Sequence, residues 1–202
     1  RAVPTKKLIS RVESNPVMPF FWGSNQAGMV AGAELEGQDV LYCQAEWSKA
    51  CDAAVSAARA MSEFGLHKES VNRILEPFST ITALYTATEW YNFFSLRCED
   101  DAQPEIKKLA LMMADCLASS DPATSRYHVP YVGREEYGNS RDMFKVSAAR
   151  CARVSYLTHE GERDLIKDMD LANRLASSGH WSPWEHPAID SETKTMSANY
   201  RG

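Results

Sequence analysis

The sequence predicts an α+β fold, a helix-rich single domain packed on a small, mostly antiparallel sheet. Three observations carry this reading. Apolar residues recur at three- and four-residue steps over residues 39–64, from Pro104 to 118 and over 160–178, the period of helices with one buried face. Only residues 79–87 are rich enough in Thr, Ile, Leu and Tyr to read as a strand. No alternation of strand and helix runs along the chain, which favours α+β over a doubly wound sheet. A length of 202 residues fits one folding unit, residues 1–202.

The elements follow in order. Residues 1–38 open with Lys6, Lys7 and Arg11 and continue into a Pro- and Gly-rich stretch holding Phe20, Phe21 and Trp22; a short helix and then a long packed loop are expected. Over 39–64, Trp47, Cys51, Ala54, Ala58 and Met61 mark the inner face, with Asp39 as cap and Gly65 as stop. A second helix holds Val71, Ile74 and Leu75 and should end near Pro77. Thr88 and Glu89 can open a helix that runs through Arg97. Pro104 starts another, with Ile106, Leu109, Met113, Cys116 and Leu117 facing inward. Residues 119–139 read as loop, and 144–156 mix helix and strand signals. The last helix, 160–178, would turn Ile166, Met169, Ala172 and Leu175 inward and stop at Gly179. The tail after His186 is polar and reads as extended.

Composition narrows the function classes. Hydrophobic residues make up 44% and charged residues 24%, so a sizeable core can form. The net charge of −5 disfavours nucleic acid as a partner, because coating a polyanion needs a cationic face. No apolar run reaches the ~20 residues that span a bilayer, and a cytoplasmic location is expected. Five scattered cysteines without a CxxC read as reduced thiols filling the core. The chain starts at Arg1 rather than Met, and it reads as a piece of a longer protein, incomplete at both ends.

Four windows could carry chemistry. In residues 66–78, Arg73 shares a helix with Val71, Ile74 and Leu75; it is either a bidentate phosphate clamp or a surface arginine paired with Glu69 at i−4. In residues 86–97, Trp90, Tyr91, Phe93, Phe94 and Leu96 crowd one short helix, which should be buried on more than one side. Asn92 lies among them, and Arg97 falls at the helix end, where the dipole alone favours a cation. Residues 180–186 bring His180, Ser182, Glu185 and His186 together with Trp181 and Trp184. This composition suits a pocket wall for a planar cofactor or a capped structural turn. A metal-dependent hydrolase built on His180, Glu185 and His186 is the least favoured reading, since the spacing matches no zinc pattern; no metal is expected. In residues 148–156, small residues and Arg150 and Arg153 allow close backbone approach.

Taken together, these windows resemble the flavin-dependent thymidylate synthases. Asn92-Phe93-Phe94-Ser95-Leu96-Arg97 followed by Ala102-Gln103-Pro104-Glu105-Ile106 resembles the family's N-F-x-x-L-R…A-Q-x-E-I segment. Asn72-Arg73-Ile74-Leu75 with Pro77 resembles A-R-x-x-L-P. Cys151-Ala152-Arg153-Val154-Ser155 resembles A-R-x-S, and His180-Trp181-Ser182-Pro183-Trp184-Glu185-His186 resembles H-x-[ST]-P-F-E-H. The last two precede the others in the common family arrangement and follow them here. The order resembles a permuted branch of the kind found in phages, in which Arg1 closes the family's S-x-R element.

The resemblance implies the following. Arg1, Arg73 and Arg97 bind dUMP, with Arg97 also polarising the pyrimidine. Asn92, Ser182 and Glu185 line an FAD site, His180 lies against the isoalloxazine, and Thr86 stands where the family has an Asn that contacts FAD. Asp101 replaces a family His. The implied reaction is reductive methylation of dUMP to dTMP, with methylenetetrahydrofolate giving the carbon and NADPH the hydride through FAD, in a homotetramer with shared active sites. The runner-up is a non-catalytic nucleotide- or flavin-binding relative that acts as a regulator or assembly partner.

Overall fold

The computed structural model describes residues 3–122, 125–136, 138, 140–154 and 163–190. It is helix-rich, with 59% of the described residues helical and a two-stranded antiparallel sheet, so the α+β expectation holds. The chain divides into two compact units: Arg1–Thr80 with Glu89–Ser120, and Ile81–Thr88 with Asp121–Gly202.

The first unit holds five helices and a 3₁₀ segment. Helix α1 (Thr5–Ser14) buries Leu8, Ile9 and Val12, the i, i+1, i+4 stripe of an amphipathic helix. Helix α2 (Gly37–Glu63) is 27 residues long, or ~40 Å. It starts earlier than the sequence suggests: Gly37 has φ +58, and Asp39 lies in the first turn without capping through its side chain. An anion there still complements the helix dipole. Gly65 stops the helix as expected, at φ +79, with its N–H bonded to the Ser62 carbonyl. Helix α3 (Lys68–Val71) passes directly into a 3₁₀ segment (Asn72–Phe78) that contains Pro77. The helical stretch ends at Phe78, one residue past the proline, as expected.

The core of this unit joins Leu8, Ile9 and Val12 to Cys51 and Ala58 of α2 and to Val71, Leu75 and Phe78. The Pro- and Gly-rich loop is pinned over it. Trp47 Nε1 donates to the Val17 carbonyl at 2.9 Å, and Trp47 meets Trp22 and Phe78 edge-on, with ring centroids 6.2 and 5.4 Å apart.

Two expectations fail in this unit. Helix α4 (Tyr91–Arg97) buries no residue: Tyr91 is 79% and Leu96 54% exposed, although Trp90, Phe93 and Phe94 cluster with centroids 5.5–5.9 Å apart. Three rings satisfy one another locally, so the helix needs only one covered face. Its start is capped by Glu89, whose Oε1 accepts from Tyr91 N at 2.6 Å. Helix α5 (Pro104–Ala118) buries only Ala110, and the residues expected inside, Leu109, Cys116 and Leu117, are exposed. The apolar stripe exists, but within this unit the described residues do not cover it.

Residues 79–87 do not form the predicted strand. Ile81 and Tyr85 are largely exposed, and β-propensity without a neighbouring strand makes no ladder. The two strands are β1 (Tyr127–His128) and β2 (Ala188–Ile189), paired Tyr127 to Ile189 and His128 to Ala188. Helix α6 (Ser140–Arg153) resolves the mixed signal of 144–156 in favour of helix as far as Arg153; Ser155 and Tyr156 lie outside the described residues. Helix α7 (Leu165–Ser177) is capped by Asp164, whose side chain accepts from Ile166 N and Lys167 N. Its buried residues are Asp168 and Ala172. Ile166, expected inward, is 77% exposed, because the buried stripe runs through 168 and 172 instead. Gly179 stops the helix at φ +72. A 3₁₀ segment (Ser182–Glu185) follows and packs against α6.

All five thiols are free. Cys51 and Cys151 fill cores as expected, Cys43 and Cys98 are half-buried, and Cys116 is on the surface.

Candidate functional site

Arg73 sits one residue after Asn72, which is buried by the fold itself. The Asn72 Oδ1 accepts from Thr5 Oγ1 at 3.0 Å, and its Nδ2 donates to the Val3 carbonyl at 2.9 Å. With Val71 and Leu75 fully buried on either side, the local helix turns Arg73 outward. The guanidinium is exposed and, among the described residues, forms no ion pair, so the Glu69 pairing that spacing allows is not made. Arg97 closes α4 and is likewise exposed and unpaired among the described residues. Asn92, on the same helix, is exposed; its backbone carbonyl accepts from Ser95 Oγ at 3.1 Å. Arg73, Asn92 and Arg97 belong to the first unit. Arg1 lies outside the described residues.

The remaining candidates belong to the second unit. His180 follows the Gly179 stop; its Nδ1 lies 2.8 Å from Ser178 Oγ, and its backbone N–H closes the helix on the Leu175 carbonyl. Ser182 and Glu185 begin and end the 3₁₀ segment, both exposed. Between them, Trp184 buries its indole Nε1, which has no acceptor among the described residues. Thr86 Oγ1 lies 3.0 Å from His186 Nδ1. Burial lowers the His186 pKa; Glu185 opposes that shift and His128 on β1 adds to it. The imidazole is therefore neutral at pH 7. Among the described residues no three His, Cys, Asp or Glu side chains gather as a metal cluster.

Sequence reasoning missed a buried ionic cluster in this unit. Arg150 donates from Nε to Asp168 Oδ2 at 2.9 Å, from Nη1 to Glu136 Oε2 at 2.7 Å and from Nη2 to Glu136 Oε1 at 2.6 Å. Nη1 also donates to the Tyr131 carbonyl at 2.7 Å, bracing a non-glycine residue at φ +66. Arg153 Nη2 pairs with the second oxygen of Asp168, while its Nε is buried without an acceptor among the described residues. The partners lie 14 to 18 residues apart, so no local spacing reveals them. The one available signal was Asp168 standing at i−4 from Ala172 in the inward stripe of α7.

The hydrogen bonds from Arg150, outweighing burial, hold the Glu136 carboxyl at about 2, against an ordinary 4.5. A depressed carboxyl contributes stability that is complete above its unfolded value and lost as pH falls toward its folded one. Chemical denaturation at a series of pH values should therefore show stability declining between pH 4.5 and about 2, and Glu136→Gln should remove that part of the acid dependence. Burial also pushes the Cys151 thiol up to about 11, so it offers no thiolate at neutral pH.

The first unit presents Arg73 and Arg97 as exposed guanidinium groups with no ion pair among the described residues, and such a fork can clamp an anion. The family model for thymidylate synthase complementing proteins matches residues 15–123, more than half of the chain, and the chain belongs to that family. No curated protein and no solved structure matches. The matched region contains Arg73, Thr86, Asn92 and Arg97, whereas Arg1 and residues 180–186 lie outside it. Membership supports a thymidylate synthase-related function. No described helix is long and apolar enough to cross a membrane.

Proposed function

We propose that this protein carries out the reductive methylation of dUMP to dTMP, with methylenetetrahydrofolate as carbon donor and NADPH as hydride source through FAD. The observation that carries the reading is that Arg73 and Arg97, both inside the family match, are exposed guanidiniums without a carboxylate partner among the described residues. An unpaired arginine keeps its fork available for an anionic ligand.

In this reading Arg1 and Arg73 hold the phosphate and uracil of dUMP. Arg97, a donor at the end of α4, stabilises negative charge that develops on the uracil oxygens. Asn92, Ser182, Glu185 and Thr86 contribute to the FAD site, with His180 against the ring. FAD, when bound, supplies the hydride chemistry. Trp184, between Ser182 and Glu185, holds a buried Nε1 donor with no acceptor among the described residues, a group that a flavin carbonyl oxygen could satisfy. A thiol nucleophile finds no support at Cys151, which burial keeps protonated. A permuted, phage-type order of segments, a cytoplasmic location and a homotetramer with shared sites complete the proposal. Apolar side chains left exposed on α4 and α5, including Tyr91, Leu96, Met112 and Leu117, are what a subunit contact would cover.

The test is to titrate the purified protein with FAD and dUMP and to follow NADPH oxidation with and without dUMP and methylenetetrahydrofolate. Flavin uptake and dUMP-dependent oxidation are expected; a protein that takes up no FAD would refute the reading. The second reading, a nucleotide-binding relative without turnover, is favoured by two departures from the family pattern, Thr86 and the exposed anion Asp101. It predicts dUMP binding without NADPH oxidation. Arg73→Lys should weaken dUMP binding by about tenfold, because a point charge replaces a bidentate fork; calorimetry measures it, and unchanged affinity would contradict the role.

A further inference from the structure

We propose that Thr86 is a positioning residue for His186: its hydroxyl occupies Nδ1 of the imidazole and so directs Nε2 toward the imide edge of a ring ligand. The inference rests on the functional reading above and assigns that site a contact which the resemblance does not give it. Two parts of the sequence 100 residues apart meet here at 3.0 Å. Thr86 stands where the family pattern has an Asn, and His186 ends the window at 180–186. The Thr86 hydroxyl is engaged by His186, so its part in ligand binding is exerted through that ring.

The chemistry follows from the neutral imidazole, which has one donor and one acceptor nitrogen. With Nδ1 engaged by Thr86, Nε2 is left over, and among the described residues it makes no hydrogen bond. If the hydroxyl donates to Nδ1, Nε2–H is a donor and suits an imide carbonyl; if the hydroxyl accepts, Nε2 is an acceptor and suits the imide N–H. A cyclic imide presents both groups side by side, and the flavin ring and uracil share this edge. The groups facing His186 are Glu185 on its own segment, which favours the charged ring, and His128 on β1, which opposes it; burial also opposes it, and the pKa is lowered. The neutral ring needed for either tautomer thus persists at pH 7.

The experiment titrates FAD and dUMP separately into the wild-type protein and the Thr86→Val, Thr86→Ser and His186→Phe variants, at several pH values from about 5.5 to 8 around the ordinary histidine range. Thr86→Val and His186→Phe should each weaken one of the two ligands by about tenfold, the scale of one lost hydrogen bond. Thr86→Ser should restore it to within about twofold. Where Nε2 accepts from the imide N–H, the wild-type affinity for that ligand should fall as acid protonates His186 and His186→Phe should lack this fall; where Nε2–H donates to the imide carbonyl, the protonated ring still donates and the affinity should hold. The ligand that loses affinity identifies whether the flavin or the uracil edge sits at Nε2. Should the valine variant fail to fold, Thr86→Ala provides the hydroxyl deletion on a smaller side chain. Wild-type affinity and pH profile in the hydroxyl-deleted and His186→Phe variants, or no rescue by serine, would overturn the inference while leaving the enzyme reading in place. Failure of the wild-type protein to bind either ligand would overturn both.

Discussion

Asp168→Ala is expected to destabilise the protein by about 3–5 kcal/mol, the cost of removing one partner from a buried ion pair. The carboxylate is completely buried on α7, and both of its oxygens are used, one by Arg150 and one by Arg153. Its removal leaves Arg153 with no acceptor among the described residues, and leaves Arg150 with Glu136 and the Tyr131 carbonyl but nothing for its Nε. Typical domains are stable by only ~5–15 kcal/mol, so the variant should unfold at much lower denaturant concentration. Asp168→Asn keeps the shape and one acceptor and should lose less. Equal midpoints for wild type and Asp168→Ala in urea would show that the cluster is energetically idle.

Arg97→Ala is expected to reduce turnover by about 10²–10³-fold, the usual loss when one donor to developing negative charge is removed, with little change in stability. The residue is exposed at the last position of α4 and, among the described residues, holds no ion pair, so truncation should cost only a favourable helix-end cation of about 0.3–1 kcal/mol. Steady-state kinetics and thermal melting together test this. A kcat/KM near wild type would remove Arg97 from the mechanism, and a melting temperature that collapses would make it structural. If Arg97 acts on the transition state, kcat should fall with kcat/KM, whereas a purely binding role would raise KM alone.

Periodicity located α2, α5 and α7 because each carries an apolar stripe, and the stops at Gly65 and Gly179 were legible because both sit at positive φ, where glycine is the default. What periodicity does not encode is whether a stripe is covered. Leu109 and Leu117 of α5 obey the helical spacing and are nonetheless exposed. Residues 79–87 have the composition of a strand, but a strand is a relation between two segments, and among the described residues no strand pairs with them. The candidate site divides in the same way. Arg73, Arg97 and the window 180–186 were visible as short motifs, since their residue types and spacing are local. The Arg150 cluster and the Thr86–His186 bond were not, because each joins segments whose separation in the sequence is set by the fold alone.

The second unit is discontinuous, and that has a practical consequence for dissecting the protein. A recombinant piece starting at Asp121 would omit residues 81–88 and with them the hydroxyl on His186. Water would take its place, and Nδ1 would lose its fixed partner. Supplying residues 81–88 as a synthetic peptide should restore that bond in trans.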